Sequence, residues 1–156
     1  MKQPDKYAVV GNPIAHSKSP EIHRMFAQQT RQPITYEKLE APLDGFEEFA
    51  LGLREAGYRG LNVTIPFKLD AAKLADRLTP RARLAGAVNT LKFERDAITG
   101  DNTDGIGFVR DISQRLKFHI EDSAILVLGA GGGVRGLIGS LLEEKPKWIA
   151  VANRTH

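Results

Sequence analysis

The chain contains no cysteine, which removes disulfides and thiolate metal sites and makes a reducing cytoplasm the expected setting. No run of about 18 apolar residues occurs, so no membrane-spanning helix is expected. No apolar signal region follows the opening Met1 to Lys6. The 4 histidines, His16, His23, His119 and His156, show no paired spacing with carboxylates, so no metal is expected. Charge of one sign is not concentrated either. The 22 Lys and Arg are spread among 19 Asp and Glu for a net +3, which disfavours nucleic acid as a partner. Neither an internal repeat nor a low-complexity linker is present. What remains is 156 residues, 42% hydrophobic and 26% charged, enough for one globular domain or one plus part of a second.

The stretch from Gly60 to Lys68 organises the rest. Gly60-Leu61-Asn62-Val63-Thr64-Ile65 alternates apolar and polar residues and is rich in β-branched side chains, as a half-buried strand is. Leu61, Val63 and Ile65 then point into a core, while Asn62 and Thr64 share the other face. Pro66 cannot extend a hydrogen-bonded ladder, so the strand is expected to end there and to deliver Lys68 into the loop beyond. An amide, a hydroxyl and an ammonium thus meet at a strand's carboxyl end, the edge where open α/β sheets bind ligands.

Upstream, Tyr7 to Val10 reads as a strand stopped by Gly11-Asn12-Pro13. Ser19 is expected as the N-cap of a helix with Pro20 at its first position and Ile22, Met25 and Phe26 as its buried stripe. A cap accounts for Ser19 but not for Ser17, and two hydroxyls beside a helix amino terminus suit a carboxylate or phosphate. Ile34 to Leu39 reads as a second strand. Asp44-Gly45-Phe46-Glu47 has the form of a capping box, opening a helix through Leu53 that Gly57 ends. Strands alternating with helices imply a parallel sheet with crossover connections.

Downstream, Asp70 is expected to cap a helix reaching Leu78, and Thr79-Pro80 restarts a short one. Val88 to Phe93 and Ile98-Thr99 form a hairpin that adds antiparallel strands. Gly100-Asp101-Asn102-Thr103-Asp104-Gly105 is a loop before the next helix, with more polar residues than a helix cap requires. The stretch from Leu116 to Ser123 is the candidate boundary between a first domain, 1–116, and a second unit, 117–156.

In that second unit Ala124 to Leu128 is a continuous apolar run, expected as a strand buried on both faces. It feeds Gly129-Ala130-Gly131-Gly132-Gly133 and then a helix, an order that brings backbone N–H groups to a pyrophosphate. The glycine fingerprint is met formally only from Gly131 through Gly133 to Gly136. Trp148 to Ala152 supplies the next strand. It ends in Asn153-Arg154-Thr155, where an acidic residue would mark NAD, so arginine favours the 2′-phosphate of NADP. The fold class is therefore α/β, a mixed and mainly parallel sheet with helices on both faces, followed by an incomplete Rossmann-like βαβ unit.

Taken together, Gly11-Asn12-Pro13-Ile14 with His16-Ser17-Lys18-Ser19-Pro20, Asn62 through Lys68, Gly86-Ala87-Val88-Asn89-Thr90, Gly100 through Gly105, Gly129-Ala130-Gly131-Gly132 and Asn153-Arg154-Thr155 make the chain resemble shikimate dehydrogenases from about Tyr7 onward. The resemblance implies NADP-dependent, reversible reduction of 3-dehydroshikimate to shikimate on the route to aromatic amino acids. It implies that Ser17 and Ser19 bind the substrate carboxylate, that Asn62, Thr64, Asn89 and Asp104 hold ring hydroxyls, and that Lys68 and Asp104 form the catalytic pair. It further implies Gly129, Ala130, Gly131, Gly132 and Gly133 under the pyrophosphate, with Asn153, Arg154 and Thr155 at the adenosine phosphate. A ketone accepting hydride develops negative charge on oxygen, which Lys68 can stabilise and protonate while Asp104 orients it.

The same resemblance implies further strands and helices beyond His156. Without them an exposed strand edge after Trp148 to Ala152 and bare apolar helix surface are expected to favour association, a homodimer included. Two other functions fit the same motifs. One is a non-catalytic shikimate-binding fragment, the other a dehydrogenase that also accepts quinate.

Overall fold

The computed structural model describes residues 3–154. The first apolar alternations form β1 (Asp5–Gly11), β2 (Ile34–Glu40) and β3 (Tyr58–Val63), joined by the helices α1 (Ser19–Thr30) and α2 (Phe46–Glu55). β1 pairs in parallel with both β2 and β3. Next come α3 (Lys68–Leu74), β4 (Arg77–Leu78), α4 (Pro80–Ala85) and the hairpin of β5 (Thr90–Phe93) with β6 (Ile98–Asp101). One six-stranded sheet results, in the order β2-β1-β3-β5-β6-β4. Only β5 runs against its neighbours. α5 (Asp104–Arg110) continues into a single π-helical turn over 111–115. A separate two-stranded parallel sheet follows, β7 (Ala124–Leu128) with β8 (Trp148–Ala152), connected by α6 (Gly132–Glu143).

Strand register decides which side chains share a face. Ala8 pairs with Leu61 and Val10 with Val63. These four pack with Phe46 and Ala50 of α2 and with Phe67 and Ala71 around α3 to form the core. Phe46 and Phe67 stack with ring centres 4.9 Å apart. On the opposite face Tyr7 pairs with Tyr36, and there His23 of α1 stacks flat on Tyr36 at 3.9 Å. Helices therefore cover both faces of the large sheet.

Several sequence expectations are corrected. α1 begins at Ser19 with Lys18 in the N-cap position, and the nearby hydroxyl that accepts a backbone N–H, from Ser19 itself, is that of Ser17. Ile22, Met25 and Phe26 are 45%, 55% and 53% exposed. Helical periodicity identifies that they share a face, but the sheet meets α1 on the face that carries His23. In α2 the capping box is absent, because Gly45 at φ +109° occupies the N-cap and offers no side chain. α3 starts at Lys68, so Asp70 lies inside its first turn, and the helix stops at Leu74, leaving Leu78 in β4. β3 ends at Val63, and Ile65 beyond it faces outward. Leu126 and Leu128 of β7 are 62% and 77% exposed. Among the described strands β7 has β8 alone as a neighbour, so the apolar run is not enclosed.

α6 lies against α4 and α5, and the approach is close. A Cβ on Gly105 would sit 2.5 Å from the Gly136 carbonyl oxygen, so the two helices touch through bare backbone.

Candidate active site

The antiparallel course of β5 gathers the polar residues. Because it runs against β3 and β6, its amino end lies at the edge where those strands finish. Asn89 immediately precedes β5, Lys68 opens α3 after β3, and Asp104 opens α5 after β6. The three converge. Lys68 Nζ lies 2.5 Å from Asp104 Oδ2, and Asn89 Nδ2 donates to Asp104 Oδ1 at 2.8 Å. Both carboxylate oxygens are thereby fixed. The Lys68 and Asp104 side chains are only 14% and 23% exposed, so solvent screens their attraction far less than that of a surface pair. Asn89 also receives bonds, its Oδ1 accepting from the Thr103 N–H at 3.0 Å and from the Thr90 hydroxyl at 2.9 Å.

From this pair the hydrogen bonds run on in an arc. Asn62 Nδ2 donates to Thr90 Oγ1 at 3.3 Å, and Asn62 Oδ1 accepts from the Tyr36 hydroxyl at 2.6 Å. The Tyr36 hydroxyl also lies within the influence of Ser19, whose hydroxyl accepts from Ser17 Oγ at 3.2 Å. Burial pushes the Tyr36 hydroxyl far above its ordinary range, with Ser19 pulling partly back, so it stays a neutral donor near neutral pH. Of the residues singled out in the sequence, Ser17, Ser19, Asn62, Asn89, Asp104 and Lys68 thus belong to one connected array. Thr64 stands just past the end of β3, its N–H on the Val10 carbonyl and its own carbonyl taking the Phe67 N–H.

The glycine-rich turn opens beside this array. Gly129, at φ +108°, turns the chain out of β7, a conformation that favours glycine, and its N–H reaches the Ala152 carbonyl at 2.7 Å. That bond sets Gly129 and Ala130 next to Asn153 and Arg154, which follow β8. Gly131 precedes α6 and Gly132 and Gly133 begin it. A Cβ at Gly131 or Gly133 would meet nothing within 4 Å, whereas one at Gly132 would lie 3.5 Å from the Lys68 Cβ. Open backbone at a helix start, next to a lysine, suits a pyrophosphate. Arg154 is exposed, and Thr155 lies outside the described residues. Among the described residues no group of three or more His, Cys, Asp or Glu could hold a metal ion, and no helix is long and apolar enough to cross a membrane.

Sequence reasoning missed Tyr36, Thr90, Thr103 and Asn102 as members of the array. For the last two a signal existed in the surplus of polar residues between Gly100 and Gly105. Tyr36 gave none, since an aromatic residue in a strand reads as core.

The family profile described as the shikimate dehydrogenase substrate binding domain matches residues 9–91. The NADP(+) shikimate dehydrogenase of Methylobacillus flagellatus is 58% identical over 151 residues, covering 97% of this chain and 56% of that protein. Its namesake from Janthinobacterium sp. (strain Marseille) is 56% identical over 156 residues, with the same shares covered. The chain thus spans about half the length of these curated relatives. Among solved structures, shikimate 5-dehydrogenase from Thermus thermophilus in complex with NADP(H) and shikimate superposes with a TM-score of 0.87 at 33% identity, covering 97% of this chain and 56% of that one.

Proposed function

Because the chain belongs to the family of shikimate dehydrogenase substrate binding domains, we propose that it carries the substrate site and the opening of the cofactor site of an NADP-dependent enzyme that interconverts 3-dehydroshikimate and shikimate. The observation that bears most weight is the Lys68–Asp104 pair at 2.5 Å. It stands at the carboxyl edge of the sheet, between the polar arc and the glycine turn. In this reading residues 1–116 form the substrate-binding domain and 117–156 begin the nucleotide-binding one.

Ser17 and Ser19 take the substrate carboxylate with neutral hydroxyls beside the start of α1. Asn62, Thr64, Asn89 and Asp104 meet the ring hydroxyls. A polyhydroxylated ring needs such partners, since each buried hydroxyl left unmatched costs about 1–3 kcal/mol. Bound at Gly129 through Gly133, with Asn153, Arg154 and Thr155 at its 2′-phosphate, NADPH supplies the hydride. The remaining work falls to this chain. Lys68 lies where it stabilises the negative charge that develops on the carbonyl oxygen and donates the proton that makes it a hydroxyl. Asp104 holds the ammonium in place, and in the reverse direction Lys68 takes the proton back. The partners so assigned are small molecules and the assigned setting is the cytoplasm, while the exposed apolar surface of α1 and β7 supports self-association into a homodimer.

Calorimetric titration of the chain with shikimate tests the site. Binding that weakens at least tenfold in Asn89→Ala is expected, and no binding by the unaltered chain would overturn the reading. Turnover is read in a chimaera in which the chain replaces the matching segment of the Methylobacillus flagellatus relative. There Lys68→Ala should lower kcat by about 10²–10⁴-fold, the usual worth of positioned acid–base catalysis, with KM changed little. A kcat unaffected by that change would remove Lys68 from its role. Quinate in place of shikimate in the same assay decides between the narrower and the broader substrate range.

A further inference from the structure

Asn102 is buried to 2% exposure and, among the described residues, is polar in an otherwise apolar set of buried side chains. Both ends of its amide are engaged. Oδ1 accepts the Asp104 N–H at 3.1 Å, and Nδ2 donates to the Ala87 carbonyl at 3.0 Å. The first of these bonds satisfies the N–H of the first residue of α5, one of the donors that a helix start leaves without an intrahelical partner. The N-cap here is Thr103, which makes no side-chain cap. Its hydroxyl is engaged instead with Asn89, accepting from Nδ2 at 2.9 Å. Asn102 therefore holds the backbone of Asp104 while Thr103 and Asn89 hold its surroundings. The second bond ties the same amide to the segment that leads from Ala87 into Asn89, so one side chain joins the two loops that present Asn89 and Asp104.

The backbone of Asn102 is itself fixed. Its N–H donates to Asp101 Oδ1 at 2.7 Å, and that carboxylate also receives Thr79 Oγ1 at 2.6 Å and Arg81 Nε at 2.7 Å. On its remaining side Asn102 meets α6. A Cβ on Gly136 would fall 2.7 Å from Asn102 Oδ1 and 2.9 Å from Nδ2, closer than real Cβ contacts come. The bare glycine is what admits the amide.

We propose that Asn102 is a positioning residue that sets Asp104 against Lys68 and, through its contact with Gly136, keeps the glycine-led helix α6 in register with that pair. The proposal rests on the role given to Lys68 and Asp104 above. It adds a residue that touches neither substrate nor cofactor. The atoms that a Cβ on Gly136 would crowd are those of the Asn102 amide, so the two positions are coupled.

The test uses the 156-residue chain and reads the Lys68 side-chain ammonium by ¹H–¹⁵N NMR, next to shikimate affinity by calorimetry. Asn102→Ala should shift the Lys68 Nζ resonance and weaken shikimate binding about tenfold, the scale of coupling between residues of one hydrogen-bond network. Gly136→Ala, outside the polar arc, should do the same to a lesser degree. Added to Asn102→Ala it should have no further effect on either readout, since the side chain it crowds is gone. Additive losses, or a Lys68 signal unchanged in both single variants, would overturn the proposal. If Asn102→Ala does not fold, the Lys68 signal in Gly136→Ala decides. Asp104→Asn separates the two readings. Unchanged shikimate affinity in that variant sinks the assigned function, and the Lys68 resonance in the Asn102 and Gly136 variants still decides the positioning role.

Discussion

The six-stranded sheet and the two-stranded unit are built from similar apolar runs yet end in different states. Val10, Leu61, Val63 and Leu91 of the first are buried, whereas Leu126 and Leu128 of the second are largely exposed. The side chains do not differ in kind. Their neighbours do, because β1 and β3 have strands on both sides and helices above and below. The unit of β7, α6 and β8 contributes Leu141 to the buried set, and it leans on α4 and α5 for support. Stability should therefore be concentrated in the first region and borrowed by the second.

The sharpest way to break that contrast is by paired truncations. Phe67→Ala opens a cavity under the Phe46 ring and is expected to cost about 3–5 kcal/mol, whereas Leu126→Ala should stay within about 0.5 kcal/mol. Denaturant midpoints of the two variants measure the difference, and equal losses would mean that β7 is as enclosed as β3. At the junction, Thr79 caps α4 by accepting the Ala82 N–H at 3.3 Å. Thr79→Ala should cost about 1 kcal/mol, with faster hydrogen exchange in α6 as well as α4. A loss confined to α4 would show that the second unit does not lean on it.

Acid gives a third probe. The Arg81 guanidinium, with lesser help from Thr79 and the Asn102 N–H, holds the Asp101 carboxyl down to about 2 from 3.8. A carboxyl lowered by folding contributes stability that is complete above its unfolded value and is lost as pH falls. The loss should run from about pH 4 to about pH 2, and Arg81→Ala should flatten it in a pH series of melting temperatures. The smallest expected effect is at His23, which burial holds below its ordinary value of 6.5. Acidification through that range charges His23 more readily unfolded than folded and so erodes stability. His23→Gln should remove that small pH dependence, again read by melting temperature.

Much of the fold was legible because alternation and glycine punctuation are local. The parallel course of β1, β2 and β3, the β5–β6 hairpin and the βαβ course of the second unit all follow from such signals. What escaped was set by neighbours distant in sequence. The Ile22, Met25 and Phe26 stripe reveals a face without revealing what covers it. Ser19 lost the capping role because Lys18, not Ser19, sits at the N-cap. Lys68 and Asp104, 36 positions apart, carry no spacing rule that joins them, and only the family resemblance paired them in advance. Tyr36 was invisible because its hydroxyl matters through Asn62 and Ser19, which no periodicity connects to it.

From Ser17 to Lys68 the side chains of the arc already hydrogen-bond one another. Any ligand that settles there exchanges hydrogen bonds instead of adding them, so the net gain from each polar contact is small. Discrimination is large for the same reason. A ring that lacks one hydroxyl breaks a bond between site residues and returns nothing for it, and sites of this kind reject such analogues by far more than their affinity for the right ligand suggests. Under the proposed function the arc therefore acts less as an adhesive than as an examiner of the ring it is offered.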